Sequence, residues 1–327
     1  MEATAQEILA GVRGAIKRAN PSGIPVPAVD PGHRKPFRWP PHTVSRDFHV
    51  LPDDWKEISH HDFRGETYEV QWAETDQGIF GRVIGLWNEA RGQSRQSVLG
   101  ELEQGAGPWL DRMDVITEAL GLPSRFHGYI NELSSPDLAA LLFARDRDVA
   151  YHALTEIEKR ASQLQFADAF VEILSDTCHP YRRTAQWCVL DMLEDYRAFC
   201  RSEDEVQAVV DAIAQFMGEA GDDYCRAVYK AGVVLGGHFC NEPAARALIH
   251  LLTAPSKIGR RSAMHAVFHL VEWLPDHRIE VVDALRKAAE TEAEPLLKEF
   301  ALSQAKDIEA GATEHKEEPV FPEEITA

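Results

Sequence analysis

Residues 180–193, PYRRTAQWCVLDML, and residues 258–273, IGRRSAMHAVFHLVEW, share an Arg-Arg-Ser/Thr-Ala start and the same apolar spacing. Apolar side chains at i, i+3/i+4 and i+7 describe one face of a helix, so an amphipathic helix is being repeated. A recurring helical segment separated by loops points to stacked units and away from a single bundle. Setting Arg183, Arg226 and Arg261 in register gives spacings of 43 and 35 residues, and one further step of 35 in each direction lands on Asp148 and Leu296. Equivalent helices are therefore predicted to begin near 147, 182, 225, 260 and 295. Their partners read as Pro136–Phe143, Phe166–Leu174, Glu205–Met217, Pro243–Leu252 and Ile279–Ala289.

This pattern resembles the HEAT repeat family, in which the second helix of each pair commonly opens with an Arg followed by small residues. Asp148 and Leu296 depart from the Arg rule, as terminal repeats often do. The resemblance covers residues 136–311 and implies a mainly α fold, an α-α superhelix whose units are stable only as a stack.

Upstream, Ile8, Leu9, Val12 and Ile16 lie at helical spacing before Asn20-Pro21, which predicts a short docking helix. Seven prolines between Pro21 and Pro41 then fix φ and remove donors, so residues 1–45 read as a helix followed by an extended arm. In residues 46–135 the period changes to two: Tyr68, Val70 and Trp72 alternate with polar residues, Thr75-Asp76-Gln77-Gly78 supplies a turn, and Ile79–Trp87 returns. A β-hairpin is predicted, with Asp47–Leu51 as a third strand. Trp39, Trp55, Trp72, Trp87 and Trp109 lie in this first third, so the small sheet needs an apolar partner, and the repeats are the expected one. Ser94–Gln104 and Pro108–Leu120 read as a helical hairpin leading into the repeats. Residues 312–327 form an acidic tail, flexible or draped over the surface, in which PVFPEE suggests a docking segment.

With 34 Lys+Arg against 53 Asp+Glu the net charge is -19, which would repel a phosphate backbone, so nucleic acid is not an expected partner. No run approaches the roughly 20 apolar residues of a membrane span. Glu2, Glu7 and Arg13 interrupt any signal-peptide core, so a cytoplasmic location is expected. Five cysteines, an odd number without CxxC spacing, read as reduced and mostly buried thiols.

The register has a functional consequence, because aligned positions on successive second helices become neighbours along one wall. One row is His152, Trp187, Lys230 and His265; the next is Glu156, Asp191, Val234 and His269; a third holds Glu194 and Glu272. Spacings of four and three residues put His265, His269 and Glu272 on a single helical face. Imidazoles at i, i+4 can share one divalent metal ion, so His265, His269 and Glu272 are candidate ligands, with Asp191 and Glu194 able to complete the shell.

The leading expectation is a scaffold that binds a protein or peptide in a polar groove, with Trp187, Lys230 and Trp273 as anchors. The alternative is a metal-dependent or small-molecule enzyme using the His/carboxylate column.

Overall fold

The structure, a computed structural model, describes residues 3–29, 55–86, 88–221 and 224–321. The chain divides into one unit of residues 1–31 and 130–327 and a second of residues 32–129.

The second unit is an antiparallel sheet of β1 (Glu57–Phe63), β2 (Glu66–Thr75), β3 (Gly78–Val83) and β4 (Asn88–Gly92) in the order β1-β2-β3-β4, followed by α2 (Arg95–Leu120). Arg64 and Gly65 both take positive φ, 55° and 83°, as the tightest hairpin turns require, and Asp62 accepts the Gly65 N–H at 2.8 Å. Ser59 faces Val70, and Val70 faces Val83 across the next pair. The predicted alternation holds: Tyr68, Val70 and Trp72 point inward, joined by Phe63 and Val83. β2 and the start of β3 follow the predicted pattern, whereas β1 and β4 are additional strands and β3 stops at Val83, short of the expected run to Trp87. Gly85, at φ 87°, ends that run in a turn. The expected strand at Asp47–Leu51 lies outside the described residues.

The expected helical hairpin is instead one helix that passes through Pro108. An interior proline costs about 3 kcal/mol. The buried stripe Val98, Leu102, Ala106, Leu110 and Met113 runs continuously on both sides of it, at roughly 1.5–3 kcal/mol for each fully buried large side chain, so packing outweighs the break. This stripe also covers the sheet. The apolar partner expected from the repeats is thus supplied within the unit, and the sheet and α2 share one core.

The first unit opens with α1 (Ala5–Ala19), begun by a Thr4–Glu7 capping box, which buries Ile8, Leu9, Val12 and Ala15 and packs on α3 and α5. Of the proline-rich arm, residues 23–29 continue as extended chain, with Val26 N–H donating to Thr177 C=O (3.2 Å) and Val29 N–H to Pro180 C=O (2.8 Å), and the rest of the arm lies outside the described residues.

Next come α3 (Ser135–Leu141), α4 (Arg147–Arg160), α5 (Ala167–Ser175), α6 (Arg182–Met192), the short α7 (Tyr196–Phe199), α8 (Glu203–Glu219), α9 (Cys225–Val233), α10 (Glu242–Leu251), α11 (Lys257–Trp273), α12 (Arg278–Thr291) and α13 (Pro295–Ala310). The five second helices predicted from the arginine register start within three residues of their expected positions. In space α4 packs on α6, α6 on α9, α9 on α11 and α11 on α13, while α5, α8 and α10 make a second row behind them.

Glycine allows one of these contacts to close. A Cβ on Gly236, in the π-helical continuation of α9, would stand 2.3 Å from the Ala266 carbonyl oxygen of α11. Gly232 and Gly236 of KAGVVLGGHFC are therefore packing positions against α11. All five cysteines are unpaired, and burial pushes the Cys200 thiol up to about 12 and that of Cys188 higher still. No helix of the described residues is long and apolar enough to cross a membrane.

Candidate functional site: the wall of second helices

At the α4 end the wall is polar but committed. His152 Nε2 lies 3.9 Å from Glu156, whose carboxylate also takes Lys159 at 2.6 Å. On the next helices the predicted neighbours do meet. The Lys230 ammonium of α9 pairs with Asp191 of α6 at 2.7 Å and with Glu194, and stands 5.8 Å from the Trp187 ring. Burial works to lower the Lys230 pKa, but the hydrogen bonds to the two carboxylates outweigh it and hold the group above its ordinary value. Asp191 and Glu194, expected to reach toward a metal on α11, are instead both paired with a lysine of the intervening helix.

The α11 end is different. His265 and His269 share a face as predicted, with rings 5.1 Å apart, and the His265 ring also meets Tyr229 of α9 at 5.5 Å. Glu272 is not a third member of their group. It accepts from His269 Nδ1 at 3.1 Å and so orients that ring from behind. The third imidazole comes from His315, in the tail. One ring nitrogen from each of His265, His269 and His315 lies within 4.8 Å of the others, and no other cluster of three such groups occurs among the described residues. His265 Nδ1 donates to the Lys316 carbonyl at 3.2 Å, while its Nε2 is buried and without a hydrogen-bond partner. Trp273, proposed as an anchor, stands apart at the end of α11 and is 67% exposed.

The tail is held at several points. Lys316 pairs with Asp307 of α13 at 2.6 Å. Arg261 of α11, itself almost wholly buried, pairs with Glu318 at 2.9 Å and donates to the Pro319 carbonyl at 3.0 Å. Phe321 is 1% exposed, with the Lys257 and Arg261 cations 4.7 and 4.9 Å from its ring. No family model, curated protein or solved structure matches this chain. The site is accordingly read from its own geometry.

His315 and Glu318 were not predicted, because the repeat register ranks positions along helices only, and Phe321 was expected only as part of the docking segment PVFPEE, without a seat. The one available signal was local: His and Phe punctuate an otherwise acidic stretch, EHKEEPVFPEE.

Asp176 caps the N–H groups of Cys178 and His179, and Arg183 stacks over the Tyr224 ring at 4.3 Å.

Proposed function

We propose that residues 130–321 form a HEAT-like helical solenoid that binds an extended acidic peptide along its second helices, and that the chain's own tail occupies the α11 end of that wall. The observation that carries this reading is the seat of Glu318 and Phe321 on Arg261 and Lys257. A buried guanidinium recognises a carboxylate, and an apolar slot beneath two cations recognises the aromatic ring three residues later. The partner class is then a protein segment with an acidic residue and an aromatic at that spacing. A cytoplasmic location belongs to the same proposal and draws on the five unpaired thiols.

The test is exchange in trans. A chain ending at Gly311 should bind a fluorescent peptide of residues 312–327 with one-to-one stoichiometry. Glu318→Gln or Phe321→Ala in the peptide should weaken binding at least tenfold, about 1.4 kcal/mol. Absence of saturable binding, or binding indifferent to Arg261→Met, would remove the proposal. The second reading, a metal-dependent protein, is favoured by a separate observation, the histidine cluster.

A further inference from the structure

We propose that His265, His269 and His315 bind a single zinc-class divalent ion, which fastens the tail to α11. Three observations on different atoms converge on it. First, the three imidazoles already share a small volume, with donor nitrogens within 4.8 Å and ring centroids 4.8–5.1 Å apart. Tetrahedral zinc at about 2.0–2.1 Å from each nitrogen needs those atoms roughly 3.3 Å apart. The closure falls to His315, the exposed member, carried on extended chain.

Second, the tautomers are fixed in the sense a metal needs. A carbonyl only accepts, so the bond to Lys316 places the proton of His265 on Nδ1 and leaves a lone pair on Nε2. That Nε2 is buried and unpartnered, although the residue is 98% removed from solvent by its 2% exposure. Buried polar nitrogens are nearly always paired, and an ion would satisfy this one. Third, the Glu272 carboxylate accepts a hydrogen bond from His269 Nδ1, which leaves that ring's lone pair on Nε2. Carboxylate and carbonyl partners on the far nitrogen are the usual supports of ligating histidines.

The donor set selects the ion class. Three imidazole nitrogens with no carboxylate among the donors suit zinc, copper or nickel, and disfavour calcium or magnesium, which demand oxygen. The inference is independent of the peptide reading, since it uses no contact of Glu318 or Phe321.

The experiment is zinc titration of the full chain, purified without metal-affinity resin, by calorimetry and elemental analysis. One ion per chain is expected. His315→Ala, on the exposed tail and therefore harmless to folding, should weaken binding at least tenfold. Glu272→Gln should weaken it roughly tenfold to a hundredfold, as loss of an orienting partner does. Cobalt substitution should give visible bands of tetrahedral intensity, and zinc should slow proteolysis within residues 312–321 in the parent but not in His315→Ala. Uptake without saturation, fewer than half an ion per chain, or undiminished affinity in His315→Ala would each overturn the proposal.

Discussion

His179, in the loop leading into α6, and His265, midway along α11, are 6% and 2% exposed, and burial pushes both imidazoles down to about 4. Around His179 the loop itself supplies partners. Its Nδ1 accepts the Tyr181 N–H at 3.0 Å, its backbone N–H donates to Asp176 at 3.0 Å, and its ring packs on Phe143 with centroids 4.5 Å apart. Around His265 the nearest groups are two more imidazoles and a tail carbonyl, and one nitrogen is left uncommitted. Equal burial and equal depression of basicity thus describe two unlike sites. What separates them is the company each ring keeps: a loop N–H and a phenyl ring at His179, two further imidazoles and an unpartnered Nε2 at His265.

The contrast is sharpened most by acid. For His179 burial is the main cause of the shift, with the Arg18 and Arg182 charges adding to it. Its unfolded value is near 6.5, so between pH 6.5 and 4 the unfolded chain takes up a proton that the folded chain refuses. Stability should be fully present above pH 6.5 and fall by about 3 kcal/mol as pH drops toward 4. His179→Asn keeps an acceptor for the Tyr181 N–H but does not titrate. Urea midpoints at neutral and acid pH should therefore show a shallower loss for the variant, and parallel losses would mean that His179 is not the acid-sensitive group.

Leucine at each position gives the next largest difference. His179→Leu strands the Tyr181 N–H and should destabilise by about 1–3 kcal/mol. His265→Leu, measured in chelator, removes an orphaned nitrogen along with a single bond to the tail, and should change stability by less than about 1 kcal/mol. With zinc added, the order should invert in one respect: the parent gains thermal stability and His265→Leu does not. Equal losses in chelator would erase the distinction.

The helical register was legible because it is a local property repeated. The Arg-Arg-small heads at 182 and 260 fix where the second helices begin, and side-chain periodicity then places Trp187 and Asp191 beside Lys230. Two kinds of feature were not legible. The continuation of α2 through Pro108 depends on a buried stripe that offsets the proline, and only tertiary packing supplies that term. The third imidazole and the Arg261 partner come from residues 315 and 318, more than forty positions beyond the end of the helix they meet, in a segment with no periodicity. A chain folding back as extended backbone leaves no repeating mark in its sequence, so composition alone suggested a draped tail and could not choose its seat.

The smallest expected effect concerns the other end of the wall, where charges are committed. Lys230 is 15% exposed at its side chain, while Asp191 and Glu194 keep 32% and 42%, so the carboxylates can return to water if the lysine is removed. Exposed pairs contribute typically 0.2–1 kcal/mol, and methionine would retain the aliphatic stem against Trp187, so Lys230→Met should cost no more than about 1 kcal/mol. The sign of its salt dependence is the more informative readout. Added salt should weaken the parent's pairs slightly but relieve Asp191–Glu194 repulsion in the variant, so the two urea midpoints should converge as ionic strength rises. A gap of several kcal/mol that ignores salt would instead mark Lys230 as a desolvated clamp between α6 and α9. The α6–α9 wall would then be a structural seam, and peptide binding would be confined to the α11 end where the tail sits.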